Sequence, residues 1–152
     1  MDNLEPPVSQ QFQARIQRAE QALRALSPDQ VTAASPSGEW SRKQELGHLL
    51  DSAQNNHQRI VLAVLHGGYE GPTYAQNEWV DLHGYDDMSW DELLLHWSTR
   101  NQLLGRVIAR IPKARLAAPV TIGTDPAMPL EAWVLDYVQH LEHHVEHITS
   151  TI

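Results

Sequence analysis

At 152 residues, 41% of them hydrophobic and 20% charged, the chain has the size and composition of a single globular domain over 1–152 with a core of its own. It contains no cysteine, which excludes disulfides, cysteine-based zinc sites and a cysteine nucleophile. Eleven basic against 19 acidic side chains leave a net charge of −8, the wrong sign for nucleic acid and the right one for a well-solvated surface.

The acidic start MDNLEPPVSQQFQ lacks the apolar core of a signal peptide, so a cytoplasmic protein is expected. Residues 9–26 then read as a first helix, with Phe12, Ile16, Ala19, Leu23 and Leu26 three or four apart. A second helix is predicted from Ser41, which has capping-box spacing to Gln44, to about Leu65, where HGGYEGP stops it. Its IVLAVL run at 60–65 is too short to cross a bilayer, and no membrane partner is expected. The third helix runs from Ser89, again with box spacing to Glu92, to Ile111 before Pro112. The fourth opens near Pro129, a residue suited to a first turn, and continues to Ile148. Strand signals are confined to PVTIG at 119–123. An all-α four-helix bundle is the expected fold. The long connections at 66–88 and 112–128 permit an up-down-down-up order. The first of them carries Tyr69, Tyr74, Trp79 and Tyr85 and is expected to fold back over one end of the bundle.

The fourth helix holds YVQHLEHHVEHI at 137–148, with four histidines in two interleaved pairs, His140/His144 and His143/His147. On a wheel of about 100° per residue, Val134, Val138, Leu141, Val145 and Ile148 form the buried seam. His140 and His144 fall at its edge beside Trp133 and Tyr137, whereas His143 and His147 look outward. Two imidazoles one turn apart at a core boundary can aim at one metal ion, which needs at least one more protein ligand. His48, His57, His66, His83 and His96 are the imidazole candidates. Periodicity places His57 in the aliphatic stripe of the second helix and His48 in a polar stripe with Ser52, Asn55 and Arg59. By burial alone His57 is favoured, while a polar stripe is what a wet cavity inside a bundle would need.

The run EWSRKQELGHLLDSAQNNHQRI at 39–60, together with YVQHLEHHVEHI at 137–148, resembles the DinB-like superfamily of metal-binding four-helix bundles. It is most similar to the YfiT-like branch, the bacillithiol-S-transferase type that is grouped with metal-dependent hydrolases. YAQNEW at 74–79 resembles a Tyr and Trp placement in that branch's loop. The resemblance implies His48, His140 and His144 as ligands of a divalent ion, zinc or nickel by the preferences of imidazole. It implies a metal-dependent thiol S-transferase or hydrolase that activates a small-molecule thiol or water. Since the chain has no thiol, the sulfur would come from a low-molecular-weight cosubstrate.

Around such a site, Asn55 and Arg59 are candidates for an anionic part of the cosubstrate, and Tyr74, Asn77 and Trp79 for its walls. Asp51, one turn from His48, is the candidate to orient a ligating imidazole, and Glu78 and Asp81 are carboxylates available as bases. No residue is assigned a catalytic role. A bundle with a structural or vestigial metal that binds a ligand or partner is the competing expectation, and a homodimer is compatible with either.

Overall fold

The computed structural model describes residues 6–35 and 39–150. Four long helices carry the fold: α1 (Val8–Arg24), α3 (Arg42–His66), α5 (Trp90–Ala109) and α6 (Leu130–Thr149). Two short ones, α2 (Pro28–Thr32) and α4 (Gln76–His83), lie in the connections. α3 packs against α5 and α6, and α1 against the same two. Along the α3–α6 seam Arg42 meets Ile148, Glu45 meets His144, and Asn56 meets Trp133, so these helices run antiparallel. Phe12, Leu23, Leu46, Leu49, Ile60, Trp97, Leu104 and Leu141 fill the interior. None of the helices is long and apolar enough to cross a membrane.

The helix ends follow local chemistry. Ser41 accepts the Gln44 amide while the Gln44 side chain accepts the Ser41 amide, closing a capping box at the head of α3. Gly67, at φ 74°, closes its tail in the left-handed conformation that a side chain disfavours. Ser89 caps α5 through the Glu92 amide, and Pro129 precedes the first residue of α6. Between α1 and α3 the chain holds α2, which starts with its own box between Ser27 and Gln30 and a proline at the first turn.

The fold is not purely helical. Strands β1 (Tyr69–Gly71), β2 (Pro119–Ile122) and β3 (Met128–Pro129) make a small sheet in the order β1-β2-β3. β1 pairs in parallel with β2, Tyr69 opposite Val120, and β2 pairs antiparallel with β3, Val120 opposite Met128. β2 coincides with the PVTIG signal, whereas β1 and β3 are too short for an alternating pattern to reveal and exist because β2 supplies their hydrogen bonds. The sheet ties both long connections to one end of the bundle. The rest of the connection between α3 and α5, α4 and the 3₁₀ turn Tyr85–Asp87, lies against α3. Tyr85 is buried with its ring on Gly47, where any Cβ would collide with it.

Candidate metal centre

α3 is buried on two sides. Leu46, Leu49, Ala53 and Ile60 enter the apolar core, while Glu45, His48, Asp51, Ser52, Asn56 and Arg59 are also buried. Buried polar groups cost free energy unless something compensates them, so a row of six on one helix marks a site rather than a core.

His48 is 1% exposed and packs against Trp40, with ring centroids 4.7 Å apart. Its ring also lies 4.8 Å from that of His144 and 5.7 Å from that of His140. The Nε2 atoms of His140 and His144 are 3.2 Å apart. One nitrogen from each of the three rings falls within 4.8 Å of the others. Burial, then the neighbouring His144 and His140, pushes His48 from the usual 6.5 down to about 3. Burial and His144 also lower His140. At neutral pH both rings are thus neutral, the form that donates a lone pair to a metal.

The donor set fits a divalent ion. Two imidazole nitrogens on one tetrahedral zinc at about 2.0–2.1 Å stand about 3.3 Å apart, close to the separation found here. The buried Nδ1 of His48 hydrogen-bonds to nothing among the described residues, which is costly for a polar atom serving only the fold. His57 lies elsewhere on α3, half-buried with burial lowering its pKa, and joins no cluster of metal donors among the described residues. The apolar stripe misplaced the emphasis because it assumes that the buried side of a helix is the aliphatic one.

Beside His140 a cleft of about 150 Å³ is lined by Ser52, Asn56, Arg59, Tyr74 and Trp133 among others. Of the residues expected to build it, Arg59 and Tyr74 are present, with the guanidinium 5.8 Å from the Tyr74 ring centroid. Burial raises Tyr74 to about 12, so it stays a neutral phenol. Asn55 is absent from the lining: its amide donates to the backbone oxygen of Asp51. The neighbouring Asn56 takes the place, donating to Ser52 and accepting from the Trp133 indole at 3.0 Å. Trp79 stands behind Tyr74, with ring centroids 5.4 Å apart, and Asn77, Glu78 and Asp81 are exposed on α4.

Asp51 does not meet a triad imidazole. Its Oδ1 accepts from the Tyr85 hydroxyl at 2.5 Å and lies 3.1 Å from His83 Nδ1. The carboxylate that touches the triad is Glu45, whose Oε1 is 3.0 Å from His144 Nδ1. Two signals in the sequence could have found these residues. Glu45 precedes His48 by three positions, almost one helical turn, and Trp133, Tyr137, His140 and His144 follow one another at intervals of four, three and four.

Residues 11–148 match the family model of the DinB superfamily. A protein of Oceanobacillus iheyensis, whose name places it provisionally among metal-dependent hydrolases, is 29% identical over 132 residues, 82% of this chain and 72% of that protein. YfiT of Bacillus subtilis, described as a probable metal-dependent hydrolase with an unusual four-helix bundle topology, matches with a TM-score of 0.79 at 19% identity, covering 98% of this chain and 89% of its own. A mycothiol-dependent maleylpyruvate isomerase matches with a TM-score of 0.79 at 13% identity, over 95% of this chain and 60% of its own. At such identities the two structural likenesses speak for the fold. The family match spans nearly all of the described helices, so this chain belongs to the DinB superfamily.

Proposed function

We propose that the protein is a divalent-metal-dependent enzyme acting on a small molecule, with His48, His140 and His144 as the protein ligands. The convergence of the His140 and His144 Nε2 atoms at 3.2 Å beside the buried His48, whose Nδ1 has no hydrogen-bond partner among the described residues, carries this reading. Three neutral ligands leave the full charge of zinc or nickel available to activate a bound thiol or water, the chemistry of a thiol S-transferase or a hydrolase. The Oceanobacillus relative, named provisionally as a metal-dependent hydrolase, supports the same class.

The chain's own side chains would bind and orient the substrate. Arg59 projects a buried guanidinium into the cleft beside His140, held by the Pro72 carbonyl at 3.2 Å, and suits a carboxylate on a thiol cosubstrate. Asn56, which accepts from Arg59 at 3.5 Å, is braced against Trp133 by a 3.0 Å hydrogen bond. Tyr74, neutral at pH 7, offers a hydroxyl to a polar substrate group.

The test is elemental analysis of the untagged protein with His48→Ala and His57→Ala variants, followed by thiol-consumption assays against small electrophiles. A stoichiometric divalent ion in wild type and His57→Ala, absent from His48→Ala, together with turnover abolished by chelation, is the expected result. Loss of metal only in His57→Ala would overturn the ligand assignment. A bound ion whose removal changes stability but no turnover would favour a binding module.

A further inference from the structure

Glu45 is 2% exposed, and among the described residues the polar partners of its carboxylate are imidazoles. Oε1 lies 3.0 Å from His144 Nδ1 and 3.6 Å from His147 Nδ1, and Oε2 is buried without a partner. No Lys or Arg balances this carboxylate among the described residues. A buried anion is costly unless a cation or a set of donors compensates it, so its place behind the triad calls for an explanation.

The two nitrogens of His144 face opposite ways. Nε2 looks toward His140 Nε2 at 3.2 Å, and Nδ1 looks toward Glu45. A neutral imidazole carries one proton, and a carboxylate at 3.0 Å from Nδ1 draws it to that nitrogen. Nε2 is then left with a free lone pair directed at the triad. His147, one of the outward pair, supplies the second contact to Glu45, and His143 lies against His147 with ring centroids 4.4 Å apart and planes tilted by 58°. Among the crowded histidines of α6, His140 and His144 thus face the candidate ion, and His147 lies beside the carboxylate behind it.

We propose that Glu45 is a positioning residue of the metal centre: it accepts the Nδ1 proton of His144, fixes the tautomer and ring angle that present Nε2, and places a negative charge behind a site of three neutral ligands. This rests on the metal-binding reading above. Glu45, His144 and His147 also lie close enough together to be donors to an ion of their own, and the experiment distinguishes that arrangement from a positioning role.

The experiment measures Zn²⁺ affinity by chelator competition in the full chain, stripped and reloaded, for wild type, Glu45→Gln and Glu45→Met, with the visible spectrum of the Co²⁺-loaded forms alongside. Methionine removes the acceptor and the charge, so its affinity should fall about 10- to 100-fold with an altered Co²⁺ spectrum. Glutamine keeps an acceptor oxygen without the charge and should fall between the two. Unfolding of the metal-free variants separates orientation from folding, because a variant that keeps its metal-free stability and loses affinity has lost the orientation of its ligand. Wild-type affinity and an unchanged spectrum in Glu45→Met would overturn the proposal while leaving the triad standing. So would a second bound Zn²⁺ that Glu45→Met abolishes, since Glu45 would then be a ligand. Absence of binding in wild type would remove the metal centre itself.

Discussion

His48 shows how one side chain couples the site to stability. Its imidazole is held neutral, with a pKa of about 3 against the usual 6.5, mainly because burial penalises the charged ring. The folded protein therefore binds fewer protons than the unfolded chain between pH 6.5 and about 3. The contribution is complete above 6.5 and is lost as pH falls through that window, by at most about 1.4 kcal/mol per pH unit. Burial lowers His140 and His57 as well, so they act in the same direction. Urea unfolding of chelator-treated protein at pH 7.5 and 5 should show wild type losing stability on acidification. His48→Gln, which has no charge to bury, should lose less. Equal losses would mean that His48 ionises freely in the folded state.

At the scale of elements, α3 and the connection after it are joined at a point of very close approach. The Tyr85 ring lies on Gly47 of α3, and its hydroxyl donates to Asp51, one turn further along the same helix. Gly47→Ala would force the ring outward and weaken that hydrogen bond, costing about 1–3 kcal/mol by overpacking. Chemical denaturation would measure the loss, and a fall of less than a few tenths of a kcal/mol would show that the connection yields easily. Gly47 carries no such signal in the sequence, where it reads as a weak spot in a helix. The capping box at Ser41 and the cap at Ser89 were legible because they are local. β1 and β3 were not, because strands of three and two residues owe their existence to a neighbour far along the chain.

For the whole molecule, Arg42 joins three parts of the fold from one buried side chain. Its Nε donates to the Ile148 carbonyl at 2.9 Å, Nη1 to Ala33 and Ala34, and Nη2 to Ser150 at 3.1 Å. It thereby fastens the start of α3 to the end of α6, the seam along which the triad assembles. Arg42→Met would leave these carbonyls without their donor and should cost at least about 2 kcal/mol. Arg42→Lys, a point charge without the planar fork, should recover only part of it. If the lysine variant matched wild type in unfolding, charge rather than geometry would hold the seam.

Helix periodicity and capping act within about four residues, so the sequence by itself determined the four long helices, their approximate ends and the pairing of His140 with His144 one turn apart. The lack of cysteine likewise excluded thiol chemistry from the chain itself. Which polar residues of α3 are buried depends on α6, some 99 positions away at the Glu45–His144 contact, and no local pattern encodes that. The tertiary structure therefore decided that His48 rather than His57 joins the histidine pair, that Asn56 rather than Asn55 faces the cleft, and that Glu45 rather than Asp51 stands behind His144. Burial of a polar group is set by what packs against it, and a residue's own spacing reports only which side of its helix it is on.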